Sequence, residues 1–337
     1  MRFNGLLLAS SVLFLSSCSD ALSVESDVVS KAKVAEIASN IKKLHPEASD
    51  SLKAQMLDVA VKALENMVYV EGGTFMMGDF KMPCEVEDIN TFQWTEEASC
   101  YSNILPQTYR TADLHEVELS SYYLSKYETT YYEFDAFLLA QGQQVVKLKR
   151  REELGDFNFY DEYPTPTKNW QQAKDYCLWL AGLTTIPVDL PTEAQWEYAA
   201  RNRGEYIYYA TNNGLNMYKY GGGYINGVYR DWLPEEWNVD PDEYRVGQLP
   251  PNPLGFYDLQ RGVGEWVDDW FSPDYYRQSP KKDPKGPVSG EKKVKRGARG
   301  DRSFTTNRYI GKESKDKYLT AQGFRCAVQN SENPLPL

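Results

Sequence analysis

The chain has 337 residues with 48 Asp and Glu against 37 Lys and Arg, a formal net charge of −11. That balance excludes a polyphosphate backbone as partner of the whole molecule, because nucleic-acid binding needs a positive footprint. With 42% apolar residues, 25 Tyr and 8 Trp, the chain has the means to bury a sizeable core. Its half-polar rings suit irregular backbone, each packing one face and bonding with one edge.

Arg2 precedes an apolar run from Leu6 to Leu15, and Leu15-Ser16-Ser17-Cys18 follows. A charged start, a short apolar stretch and small residues before a cut read as a secretory signal. The run is too short to span a bilayer, which takes roughly 20 apolar residues. The Leu-Ser-Ser-Cys ending is that of a lipobox, so residues 1–18 are expected to be a lipoprotein signal peptide with Cys18 acylated as the membrane anchor. A plain signal peptide with an incidental cysteine is the alternative. Ser19, rather than Asp, after the cysteine points to an outer membrane, so the expected location is the bacterial envelope, facing the periplasm or the cell surface.

Residues 19–66 read as a tether, polar and serine-rich to about residue 30, followed by a helical neck. Helical spacing runs over 34–44 and again over 51–67, where Leu52, Met56, Val59, Ala60 and Leu64 share a face. His45-Pro46 separates the two, and Ser49 or Asp50 is placed to cap the second.

The folded domain is expected over 67–328, with a tail at 329–337. The stretch VYVEGGTFMMG (68–78) alternates and turns as a hairpin does, and 115–130 is again strand-like. Two capped helices follow, one after Thr129 and one whose face holds Trp170, Ala173, Cys177, Leu180 and Ala181. A third begins at Pro191, where Thr192 and Gln195 form a capping-box pair before Trp196. Residues 204–253 are rich in Gly, Tyr, Asn and Trp with few periodic runs, and 281–296 reads as a flexible basic loop. Beyond Cys18 there are four cysteines, and three pairings are open to them. Cys84 and Cys100 lie together in the acidic insertion of 80–115, which joins them and leaves Cys177 with Cys326. Free buried thiols are the alternative.

The order of MVYVEGGTFMMG, YETTYYEFDAFL, YCLWLAGL, LPTEAQWEYAAR, NPLGFYDLQRGVGEWVDDWF and a closing GFRC resembles the formylglycine-generating enzyme, or sulfatase-modifying factor, family. The resemblance covers roughly residues 67–328. It implies an α+β, C-type-lectin-like fold with little regular secondary structure, and a disulfide between the YC helix and the GFRC strand, hence Cys177–Cys326. It gives Thr192, Trp196, Tyr257, Trp266, Trp270 and Arg325 architectural roles, wedging loops against a small sheet. It also implies calcium sites of oxygen ligands. One would use Glu265, although the family's Gly-Asn pair reads Arg261-Gly262 here. A second would draw on Asn226 and Asp240, for which solvated acids are the plainer reading.

The family's oxygen-dependent enzymes hold copper(I) on two cysteines just after an Arg-Gly-Gly-Ser motif, soft thiolates selecting a soft ion. The corresponding 295–311 stretch contains no cysteine, and the chain has only two histidines, His45 and His115, for the iron branches. No residue is therefore assigned a catalytic role. The expected function is a protein-binding, scaffold or regulatory module with an envelope partner. The insertion around Cys84–Cys100 and the 204–250 region are its candidate contact surfaces. A protein-modifying oxidoreductase with an unrecognised metal site is the alternative.

Overall fold

The structure, a computed structural model, describes residues 22–85, 93–100, 113–146, 161–216, 219–225, 228–232, 245–260, 262–297, 304–311, 322–329 and 335. Cys18, Asn226, Asp240 and most of the 204–250 contact region beyond residue 216 lie outside the described side chains.

Helices α1 (Lys31–Leu44) and α2 (Asp50–Glu65) form where helical spacing places them, capped by Ser30 and Ser49. They are not a neck. Ile37, Ile41, Met56, Leu57, Val59 and Val61 are fully buried in the same core cluster as α3 (Tyr131–Ala140) and α4 (Trp170–Thr184). A helix with so much apolar surface is stable only when that surface is covered, and here the covering is the domain itself. The serine-rich segment before them is not free either. Leu22, Val24 and Val29 pack on that cluster, and Ser26 Oγ hydrogen-bonds Glu65.

The expected hairpin at 68–78 does not form. Strands β1 (Met67–Val70) and β2 (Gly73–Met77) pair not with each other but with β4 (Tyr122–Ser125) and β3 (His115–Leu119) respectively. One antiparallel register runs from Met67↔Ser125 through Val70↔Tyr122 and Gly73↔Leu119 to Met77↔His115. The ribbon breaks at Gly72, whose N–H is accepted by Ser121 Oγ at 3.0 Å. A Cβ there would sit 2.3 Å from the Leu119 carbonyl oxygen, so only glycine lets the two backbones approach.

The first half of the ribbon enters a four-stranded sheet of order β1-β4-β12-β5, with β5 at Val188–Asp189 and β12 at Ala327–Val328. A second sheet has the order β10-β9-β8-β11, from Tyr309–Ile310, Lys293–Arg296, Gly264–Trp270 and Gln322–Phe324. The pair β6 (Lys219–Ile225) and β7 (Val228–Trp232) stands apart. Strand β9 corrects the expectation of a flexible loop at 281–296. Val294 and Arg296 are buried to 0% exposure, and Asp283 anchors the earlier half through the backbone and side chain of Ser120. Of its basic residues, Lys293 and Arg296 are buried on the strand, while Lys281, Lys282, Lys285 and Lys292 stay exposed.

Helix α5 (Glu193–Ala200) starts with the full capping box read from the sequence. Thr192 accepts from the Gln195 N–H and Gln195 returns to the Thr192 N–H. Helix α3 has the same device one residue later than expected, with Thr130 and Glu133. Both disulfides form as expected, Cys84–Cys100 and Cys177–Cys326, with Cα separations of 4.9 and 5.8 Å. The second ties α4 to the crossover between the two sheets, since β11 and β12 flank Arg325 and Cys326.

Candidate functional site

Two of the architectural residues expected from the sequence, Trp196 and Arg325, meet on one carboxylate. Glu265, on β8 and 1% exposed, accepts Trp196 Nε1 at 2.9 Å on Oε2. Arg325 grips both of its oxygens at 2.7 Å. The same guanidinium donates to the carbonyls of Ser125, Lys126 and Tyr257. A planar fork with five donors suits such a junction, where loops from three directions each present an acceptor. Trp266 Nε1 donates to Thr167 Oγ1. Trp270 and Trp170 sandwich the Lys293 ammonium at 4.0 and 3.7 Å from their ring centres. Burial between those rings pushes the Lys293 pKa down to about 8 despite the nearby Asp268 and Asp269.

Calcium does not fit at Glu265 in this arrangement. Arg325 already supplies the positive charge, and no three His, Cys, Asp or Glu side chains come together as metal ligands among the described residues. Neighbouring Glu128 is buried too, and its Oε1 accepts the Val263 N–H at 2.8 Å. Burial, then the Glu265 charge, raise its pKa well above the usual carboxylate range, with Arg325 opposing. Gly262, where the family carries asparagine, faces Glu128 directly. A Cβ at that position would lie 2.4 Å from both Glu128 oxygens, so the larger residue has no room.

A second buried lattice underlies the 304–309 segment, and sequence reasoning missed most of it. Arg296 bonds Glu193 and Glu197, Arg201 bonds Glu197 at 2.7 Å, and Arg308 lies 2.9 Å from Glu193. All five side chains are 2% exposed or less. The signal was present: Glu193, Glu197 and Arg201 follow each other at the four-residue spacing that shares a helix face. Asp269 joins by accepting the Glu193 N–H at 2.7 Å, and burial pushes its pKa up to about 8.

The segment itself is fastened to this lattice. The Thr305 carbonyl accepts from Arg296, its N–H bonds Tyr208 O, and its hydroxyl bonds Ile207 O. Phe304 is buried against Tyr208, Tyr209 and Phe80, with Met82 and Trp94 packed on them. The two surfaces singled out in the sequence meet here. Trp94 of the insertion stacks on Tyr206 at 4.4 Å, and Tyr208 Oη donates to the Lys81 carbonyl. Together they make an aromatic ledge beside residues 304–306, with Tyr206 38% exposed.

The donors that transition metals favour are engaged elsewhere. Cys84, Cys100, Cys177 and Cys326 are all in disulfides. His45 Nε2 meets Trp179 Nε1 at 3.2 Å, and His115 packs on Tyr276.

Comparison with known proteins gives the chain its relatives. The model of the sulfatase-modifying factor enzyme 1-like domain matches residues 53–330. The formylglycine-generating enzyme of Streptomyces coelicolor is 32% identical over 173 residues, covering 49% of this chain and 52% of that one. The mouse (Mus musculus) formylglycine-generating enzyme is 30% identical over 50% of this chain and 45% of its own length. The chain thus spans about half the length of these curated relatives. Among solved structures, PvdO from Pseudomonas aeruginosa aligns over 78% of this chain and 94% of its own, with a TM-score of 0.51 and 22% identity. Treponema denticola variable protein 1 aligns over the same shares with a TM-score of 0.52 and 19% identity.

Proposed function

The chain belongs to the sulfatase-modifying factor enzyme 1-like family, and from that premise we propose that it is an envelope lipoprotein acting as a protein-binding module. In this reading Cys18 is the lipid anchor and the aromatic ledge at Trp94 and Tyr206 is the face that meets an envelope protein. One observation carries it. The segment corresponding to the family's copper-binding stretch is Phe304-Thr305-Thr306-Asn307-Arg308 where it is described, and within it Thr305 bonds Arg296, Ile207 and Tyr208 while Arg308 pairs with Glu193. Copper(I) does not fit such a donor set, because hydroxyl, amide and guanidinium groups are not soft ligands. No catalytic step is derived through it. Interface anchors, by contrast, are commonly Trp and Tyr in half-open positions, as on this ledge.

The second reading, a protein-modifying oxidoreductase, is favoured by the relatives named formylglycine-generating enzyme. A copper-supplemented assay on a Cys-x-Pro-x-Arg peptide separates the two. The binding reading expects unmodified peptide and no stoichiometric copper or iron in the protein; aldehyde formation would overturn it. In parallel, a photo-crosslinker at residue 94 should capture one envelope protein in cells, and Tyr206→Ala should abolish that adduct.

A further inference from the structure

A cavity of about 470 Å³ opens between the C-terminal end of α2, the start of α3 and the sheet crossover at Cys326. That volume lies in the range of small-ligand sites. It belongs neither to the ledge nor to the lattice beneath residues 304–309. Its walls carry four carboxylates, Glu128, Glu133, Asp161 and Glu162, against a single ammonium, Lys62. Lys62 is committed to Asp58 at 2.9 Å. Three tyrosines, 127, 132 and 176, also line it, while Leu180, Val246 and the Cys326 sulfur bridge supply apolar surface.

Two groups in these walls lack what folded proteins normally provide. Glu133 uses Oε2 alone in its capping box, accepting both the N–H and the hydroxyl of Thr130. Among the described residues its Oε1 has no hydrogen-bond partner. Tyr176 is 1% exposed, its ring held among Phe134, Phe137, Trp179 and Phe324. Its hydroxyl makes no hydrogen bond among the described residues, although buried polar groups are nearly always bonded. Glu133 stands close enough to push the ionisation of that hydroxyl further up, after burial itself. A buried hydroxyl and a carboxylate oxygen therefore line the same space without partners among the described residues.

We propose that this cavity binds a cationic nitrogen on an apolar stem, an amine or guanidinium, presented as a lysine or arginine side chain of the protein partner. Asp161 and Glu162 supply charge at the mouth, and Glu133 Oε1 and Tyr176 Oη supply the hydrogen-bond acceptors that a guanidinium or ammonium needs. Tyrosine faces attract a cation within roughly 6 Å, and Leu180 and Val246 receive the methylenes. The proposal deepens the protein-binding reading and depends on it only for the source of the cation.

The test is calorimetric titration of the purified full-length protein with agmatine and, separately, with a blocked Gly-Arg-Gly peptide. The peptide is expected to bind saturably with a Kd below about 1 mM. Glu133→Gln retains an amide oxygen for Thr130, and Tyr176→Phe removes only a hydroxyl without a partner among the described residues, so both variants should keep the wild-type melting temperature. Each should weaken binding by roughly tenfold or more. Absence of saturable binding by either probe overturns the site, as does unchanged affinity in both variants. Agmatine binding without peptide binding overturns the side-chain source and leaves a free amine as ligand. Loss of the residue-94 crosslink with cavity binding intact counts against the protein-binding reading alone.

Discussion

Arg325 holds Glu265, three backbone carbonyls and, through Glu265, the indole of Trp196. Removing the arginine leaves a carboxylate buried with one neutral donor. Arg325→Met should therefore destabilise the fold by roughly 3–5 kcal/mol, read from urea unfolding. The double variant Arg325→Met, Glu265→Gln should recover part of that loss, because the uncompensated charge is gone. Asp269 makes a different kind of statement. Its folded pKa is raised from 3.8 to about 8, burial first and the Glu193 charge next. The folded state thus holds a proton that the unfolded chain releases, and stability must fall as pH rises from about 4 to about 8. Asp269→Asn keeps an acceptor for the Glu193 N–H and has no proton to lose. Unfolding free energies at pH 5 and pH 8 should differ less in the variant than in the wild type.

The Cys177–Cys326 bridge fastens α4 to the point where the chain leaves one sheet for the other. Reduction, or Cys177→Ser, should lower stability by roughly 2–5 kcal/mol, as losing a native disulfide often does. A melting temperature indifferent to reductant would contradict that role. Much at this level was legible in the sequence. Helical spacing placed α1, α2 and α4, the Thr192–Gln195 box placed α5, and motif order placed the fold. Pairing was less legible. Alternation at 68–78 announces strands, but nothing local says that each pairs with residues near 120 across the acidic insertion. The Gly72 break reads equally as a hairpin turn. Basic residues at 293–296 read as part of a flexible loop because their partners, Glu193, Glu197 and the Asp268 carbonyl, arrive from distant segments. The cavity was invisible for the same reason, since its walls come from six separate stretches.

For the protein as a whole, the proposed lipid anchor at Cys18 is the decisive variable. Cys18→Ala should move the protein from the membrane fraction to the soluble one, and continued retention would remove the lipoprotein reading. No helix among the described residues is long and apolar enough to cross a membrane. The packing of Leu22 and Val24 onto the core then has a bearing on posture. With Cys18 acylated, only residues 19–21 separate the fatty chains from the fixed body, a leash of about 10 Å when fully stretched. The protein would ride moored against the bilayer with the Ser26–Glu65 corner downward, and a visitor would have to come alongside rather than reach it on a swinging stalk.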